Sequence, residues 1–398
     1  MTISAACLGF PRVGARHELN GATEGYLAGR LSADQLQDAA KGLRAAGWER
    51  QRQAGVDVIP CNDFSLHDQV LDTSVMVGAI PDRYRPVGPP GSLDLAFAMA
   101  QGGGVVPSEV QASQTAQWFE TSDQYIVPEV SPDQQFALST RKVLNEFNEA
   151  KALGYHCRPV ILGPVTFLHL AKSTDPSVDP LSLLNRLLPV YAELLLQLKL
   201  AGADWVQIDE PVMVRDMSAA VRAALRTTYW SLAGRGAPKI MLATYFGAIG
   251  DNLDAALGLP VAGLHLDLVC APEQLALVLG AGRQDLVLSL GVVDGREAAR
   301  SDLVAILDRL EPLVGKIVIQ IAPSCSLGRS PVHGGSDTPP DRTSADWLAL
   351  ATRKLEEVAT LSVALRRGRG QVADALADNA AAMGVLAQAS ERRRADRM

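Results

Sequence analysis

Aromatic side chains are scarce in this chain, 5% of 398 residues, and its five cysteines, Cys7, Cys61, Cys157, Cys270 and Cys325, form no Cys-x-x-Cys pair. An odd number of widely separated thiols excludes a small disulfide-stapled scaffold and fits a reducing cytoplasm. No run approaches the roughly 18 to 20 uninterrupted apolar residues that cross a bilayer, and the first residues lack a basic segment followed by an apolar one. The expectation is a cytoplasmic protein with no membrane partner. Neither standard Gly-rich phosphate loop is present, so nucleotide hydrolysis and hydride transfer have no support. A basic stripe is also missing: 37 Lys and Arg stand against 44 Asp and Glu, a net charge of −7, which argues against nucleic acid as the main partner. The short run Arg392-Arg393-Arg394 reads as a solvated helix end.

What is present, 47% hydrophobic and 20% charged residues, is the balance of a compact enzyme, long enough for one large α/β barrel or two ordinary domains. Short apolar runs alternate with amphipathic or Ala/Leu-rich segments, the rhythm of βα repeats. Strands are predicted at 5–10, 56–60, 159–163, 205–209, 240–244, 263–268, 286–292 and 316–322. Eight parallel strands predict an α/β fold of the closed (β/α)8 TIM-type barrel. Helices are expected at 32–54, 179–201 and 300–313, with Ser32 and Asp179 as N-caps and Pro180 in the first helical position. About a hundred residues separate the second and third strands, more than a βα loop needs, with Pro/Gly-rich stretches at 81–91 and 102–107. A long insertion there should cover one face. Beyond Pro340 helical periodicity returns at 344–367 and 371–394, so the expected division is a barrel at 1–343 and a helical tail or linker at 344–398.

The segment Asp204-Trp205-Val206-Gln207-Ile208-Asp209-Glu210-Pro211 carries the strongest chemical signal. Val206 and Ile208 suit a packed strand, whereas Asp209 and Glu210 are costly to bury unpaired, and Pro211 ends the ladder. A strand meeting an active-site rim has this form; so does a strand end capped by solvated acids. Other polar residues also fall at strand ends: Asn62, Asp63, His67, Asp68, Tyr245, Asp267, Asp294, Arg296 and Cys325. A thiol, imidazoles and carboxylates could ligate zinc, yet no His-x-Cys or His-Glu-x-x-His spacing supports a metal. His265, inside an apolar strand, reads as a hydrogen-bonded core histidine, and Cys325, with no adjacent base, as an inert buried thiol. The catalytic candidates are Asp63, His67, Asp209, Glu210, Asp267 and Cys325, with structural hydrogen bonding as the competing reading.

Several segments keep one order across about the first 340 residues: Leu8-Gly9-Phe10-Pro11-Arg12-Val13-Gly14, Asp63-Phe64-Ser65-Leu66, Tyr125-Ile126-Val127-Pro128-Glu129, Leu162-Gly163-Pro164-Val165-Thr166-Phe167, residues 205–211, Thr244-Tyr245-Phe246-Gly247, residues 263–269 and Ser324-Cys325-Ser326-Leu327. In these the chain resembles the N-terminal half of the cobalamin-independent methionine synthase family. The resemblance implies two face-to-face barrels, of which the second carries zinc, homocysteine and the catalytic groups while the first helps hold the folate. It implies no metal on this half, zinc on a partner barrel, 5-methyltetrahydrofolate as methyl donor and a homocysteine-like thiol as acceptor. It also makes the Asp209-Glu210-Pro211 turn architectural, or part of a wall facing the second barrel. Folate-binding residues carried over by resemblance are Arg12, Arg16, His17 and Gln117.

Departures from the family pattern cluster at the same places. The lysines expected near Asn20 and Gly21 are missing, and Gln117 stands where the family has a tail-binding lysine. Each lost charge-assisted bond weakens grip on a polyglutamate by roughly 1 to 3 kcal/mol. Cys61 and Asn62 replace small or apolar residues, while His67 and Gln69 replace an aromatic residue and a histidine. The chain stops where an interdomain linker would begin, so the main expectation is a stand-alone first barrel acting with a separate zinc-bearing barrel in folate-dependent methyl transfer. The alternatives are an independent enzyme that reuses the pocket for a different small substrate, and a non-catalytic diverged homologue.

Overall fold

The computed structural model describes residues 3–102, 110–119, 121–234, 236–328 and 343–395, with side chains described as far as residue 384. Eight strands, β1 (Ile3–Ala5), β2 (Ile59–Cys61), β3 (Cys157–Leu162), β4 (Trp205–Asp209), β5 (Lys239–Ala243), β6 (Gly263–Asp267), β7 (Val287–Val293) and β8 (Val318–Pro323), pair in parallel in the order 1-8-7-6-5-4-3-2. A bridge between Ala6 and Val58 joins the two ends of that order. Around it Val58 N donates to Ala5 O at 3.0 Å and Cys7 N to Val58 O at 3.1 Å, closing the barrel. Strands of such a barrel are covered on both faces, which is why Val206, Ile208, Leu264, Leu266, Ile319 and Ile321 are all fully buried.

The inward side chains are not all apolar. Arg158 on β3 reaches across the lumen to Gln320 on β8, Nη1 to Oε1 at 2.9 Å, and donates from Nη2 to Gln207 Oε1 on β4 at 3.0 Å. Gln207 Nε2 in turn donates to Asp209 Oδ1 at 2.8 Å. A polar layer therefore fills the barrel where an all-aliphatic one would be the default, and it leads from the interior to the rim.

The first strand is shorter than its apolar run suggested. The chain leaves β8 at Ala6 to meet Val58, and residues 7–12 become a rim loop in which Gly9 O accepts from Leu327 N at 2.9 Å. Gly9 is required there, because a Cβ would lie 2.2 Å from Ser326 Oγ. Ser32 caps the helix Ala33–Gln53 through a capping box with Gln35. Asp179 caps only a 3-10 turn, Pro180–Leu183, and the α-helix proper runs over Leu184–Ala201. Asp302 accepts from Ala305 N, so the next expected helix begins later, at Leu303–Leu310.

The insertion after β2 contains helices Gln69–Met76 and Leu93–Gln101, a hairpin of Thr115–Gln117 with Gln124–Ile126, and its own apolar cluster around Leu71, Tyr84, Leu95 and Met99. Of the Pro/Gly-rich stretch expected at 102–107, only Gly102 lies among the described residues.

The helix Ser344–Arg367 is not a tail. Leu348, Leu355, Val358 and Leu361 are buried, and the helix packs on β8 and β1 and beside Leu303–Leu310, the place of the eighth barrel helix. A boundary at 343/344 would separate β8 from the helix that covers it. The last helix, Ala373–Ala395, docks through Asn379, whose Oδ1 accepts from Leu303 N at 3.2 Å. The side chains of Arg392, Arg393 and Arg394 lie outside the described residues.

Candidate functional site

The rim at the C-terminal ends of the strands gathers most of the chemistry-bearing residues, and Glu210 is among the fully buried ones. Fully buried after β4, it accepts from Thr166 N at 2.7 Å, Thr166 Oγ1 at 2.5 Å, Val165 N at 3.3 Å and Tyr229 OH at 3.4 Å. The carboxylate thereby serves the first, otherwise unsatisfied N–H groups of the helix Pro164–Leu170. Gly163 leaves room for it, since a Cβ there would stand 2.1 Å from Glu210 Cδ. Burial pushes the Glu210 carboxyl up to about 7 against these hydrogen bonds.

The remaining candidates are similarly committed. Asp209 points into the lumen and accepts from Gln207 and, at 3.0 Å, from Tyr245 OH. Asp267 accepts from Phe246 N, Val269 N and Cys270 N at 2.9 to 3.1 Å, and burial raises its carboxyl. Asp63 takes the amide of Phe10 at 2.9 Å and is pushed up to about 6 by desolvation. His265 pairs Nδ1 with Ser289 Oγ at 2.9 Å and Nε2 with Ser324 O at 3.2 Å, and burial takes it down to about 4. Cys325 is buried with its thiol held up at about 12, chiefly by desolvation. His67 lies off the rim. Its Nδ1 meets Asp68 Oδ2 at 3.2 Å, and its ring lines a lateral cavity beneath the insertion.

The residues carried over for a folate tail occupy two different elements. In the loop after β1, Arg12 Nη1 donates to Ser65 O, and Arg16 is exposed, 3.4 Å from Glu18. His17 adopts a left-handed φ of 59° and lies 2.9 Å from Ser344 Oγ, against the start of the helix Ser344–Arg367. Gln117 sits on the insertion hairpin, its amide donating to Thr121 O at 2.6 Å.

Two residues outside the candidate set organise the rim. Arg158 anchors the lumen chain that ends at Asp209; its signal was a lone charge inside an apolar strand. Lys142 ties down the loop after β2 by donating to Asn62 Oδ1 at 2.9 Å and Phe64 O at 2.7 Å. Burial works against the Lys142 charge, but Glu146 and Asp72 more than offset it and raise its pKa. Nothing in the local sequence marks a helix-initial lysine for that task.

Among the described residues zinc finds no fitting donor set. His265 has both ring nitrogens engaged, Cys325 is a buried thiol held protonated, and among the described residues no three His, Cys, Asp or Glu side chains are gathered as a metal would need.

The raised carboxyl of Glu210 makes a stability prediction. An acid whose folded pKa is raised holds its proton in the native state while the unfolded chain has lost it, so stability falls as pH rises from about 4.5 to about 7. Relative to Glu210→Gln, which carries no titrating group, the wild type should lose on the order of 3 kcal/mol across that window. Urea unfolding at pH 4.5, 6 and 8 measures it, and a pH-independent difference would remove the assignment.

Residues 4–318 match the family model for the cobalamin-independent synthase, N-terminal domain. The chain is 51% identical over 400 residues to the 5-methyltetrahydropteroyltriglutamate–homocysteine methyltransferase of Nitrobacter winogradskyi, covering 95% of this chain and 52% of that protein. The protein of the same name from Caulobacter vibrioides is 50% identical over 404 residues, covering 96% and 52%. The chain thus spans about half the length of these curated relatives. Among solved structures, a B12-independent methionine synthase from Shewanella sp. W3-18-1 superposes with a TM-score of 0.59 at 14% identity, over 95% of this chain and 98% of that one. A structure from Listeria monocytogenes gives 0.61 at 14%, over 91% and 98%. At such identities the likeness is one of fold. Among the described residues no helix is long and apolar enough to cross a membrane.

Proposed function

We propose that this barrel is the folate-holding side of a methyl-transfer system, because the chain belongs to the family of cobalamin-independent synthase N-terminal domains. The methyl donor would be a 5-methyltetrahydropteroylglutamate and the acceptor homocysteine, the two substrates in the relatives' name. The observation that carries the reading is the near-complete alignment of this chain, at half identity, with one half of proteins so named. The rim is consistent with it: Asp63, Glu210 and Asp267 spend their carboxylates on backbone amides, which suits a platform more than an acid–base pair. Methyl transfer to a thiol needs a thiolate near neutral pH, and zinc supplies one by stabilising the deprotonated sulfur. In this reading that chemistry belongs to a second, zinc-bearing barrel, and the residues here bind and orient the donor.

Arg16 is free to meet a carboxylate of the glutamate tail, since its side chain is 89% exposed and its contact with Glu18 is weak. His17, held by Ser344, and Gln117, which stands where the family has a lysine, would supply further polar contacts. Arg12 braces the loop that carries Arg16 by binding Ser65 O.

The test is a two-protein assay with the purified chain and the zinc-bearing half of a relative. Methyl transfer is expected in the mixture and in neither protein alone. A chain that binds no such partner, and that binds mono- and triglutamyl methyltetrahydrofolate equally and only at millimolar concentration, would end the proposal.

A further inference from the structure

The lateral cavity beneath the insertion has a volume of about 510 Å³, in the range of small-molecule sites. It lies between the helix Ala33–Gln53, the loop after β2, the insertion helices and the start of the helix Lys142–Ala152. One wall is apolar, built from Phe64, Leu71, Val75 and Phe97. The rest of the lining is largely charged, and Arg44 lies over the Phe64 ring at 5.4 Å. Arg44 pairs with Glu149 at 2.7 Å and stands 3.8 Å from Glu146, while Lys142 stands 3.0 Å from Glu146 and 3.3 Å from Asp72. Two cations therefore face three carboxylates, an excess of one negative charge in a partly desolvated wall. Glu146 shows the imbalance: it is buried, its Oε2 meets no hydrogen-bond donor, and burial raises its pKa.

At the edge of the same cavity the imbalance is reversed. Arg141 is exposed and has no ion-pair partner among the described residues. It is the N-cap of the helix Lys142–Ala152, which has neither a side-chain cap nor an acid in its first turn, so the helix N-terminus adds its unsatisfied N–H groups and positive end. Arg141 and Glu146 both line this cavity, so one ligand carrying an ammonium and a carboxylate can address both ends of it.

We propose that this cavity binds a zwitterion with an apolar side chain, the class of hydrophobic α-amino acids and short peptides of them. The ammonium would sit against Glu146 and Asp72, the carboxylate against Arg141 and the helix N-terminus, and the side chain on the Phe64–Phe97 wall. The site is separate from the barrel rim, and its existence does not depend on the methyl-transfer reading.

L-Phenylalanine is the probe, titrated into the full chain by calorimetry and ligand-observed NMR beside phenethylamine, which lacks the carboxylate, and 3-phenylpropionate, which lacks the ammonium. Saturable binding of phenylalanine is expected, with each comparator weaker by about tenfold or more, the loss of one charge-assisted contact. Arg141→Ala, a surface change that spares the fold, should weaken phenylalanine and leave phenethylamine unchanged. Glu146→Gln should do the converse for 3-phenylpropionate. Absence of saturation by 10 mM phenylalanine, equal binding of all three probes, or a phenylalanine affinity unmoved by Arg141→Ala would each overturn the proposal.

Discussion

Replacing Glu210 by alanine is expected to remove about 3 to 5 kcal/mol of unfolding free energy. The loss comes from the partners. Without the carboxylate, the amides of Val165 and Thr166 and the hydroxyls of Thr166 and Tyr229 all lose an acceptor in a fully buried site. Each orphaned donor costs about 1 to 3 kcal/mol, and relaxation of the helix Pro164–Leu170 recovers part of the sum. Gly163→Ala should have a comparable effect by the opposite route, because its new Cβ would collide with the carboxylate it now faces. Denaturant unfolding of both variants provides the measurement. A Glu210→Ala protein within 1 kcal/mol of wild type would show that the turn after β4 is not what holds this side of the barrel.

Arg158→Ala is the second large effect, again about 3 to 5 kcal/mol. Its guanidinium is 1% exposed, hydrogen-bonded to two amide oxygens and lacking an acceptor for Nε; burial draws its pKa down to about 10 despite the nearby Asp209 charge. Removing it takes a donor from Gln207 Oε1 and from Gln320 Oε1 around a void, and removes a positive charge that interacts with Asp209. Arg158→Met fills the void and spares the desolvation of a charge, so it should cost clearly less than alanine. If methionine proved the worse substitution, the hydrogen-bonded layer rather than the filled volume would be the main source of stability.

The architecture was legible because it rests on a repeated signal. Apolar runs such as 205–209 and 263–268 have no other comfortable home than a strand covered on both faces, and the structure has strands at Trp205–Asp209 and Gly263–Asp267. Ser32 was legible for a local reason, since N-cap chemistry is set within four residues, and the helix beginning at Ser344 was legible from its helical periodicity. The limits of the first strand were not, because the departure at Ala6 depends on Val58, more than fifty residues away. Packing of the helix Ser344–Arg367 as the eighth barrel helix was also hidden: its pattern shows an apolar face but not the surface that face meets.

The candidate site divides the same way. That Asp209, Glu210, Asp267 and Cys325 fall at strand ends follows from the βα rhythm. That Glu210 caps a helix, or that His67 faces the cavity beneath the insertion, depends on where the chain between β2 and β3 turns back. Lys142 illustrates the difficulty most clearly, since its four polar contacts come from two segments far from it in sequence and one turn of its own helix.

The single bridge at Ala6–Val58 carries a dynamic consequence. Every other neighbour pair in the ring is held by at least three aligned residues, whereas this one is held by one. The least costly sub-global opening of the barrel therefore runs between β1 and β2, and on it hang the loop bearing Arg12 and Arg16 and the loop bearing Asn62 and Asp63. In the proposed function the loop bearing Arg12 and Arg16 would meet the ligand's glutamate tail from the least-paired part of the ring, so that tail binding and transient unzipping of the barrel would draw on one equilibrium.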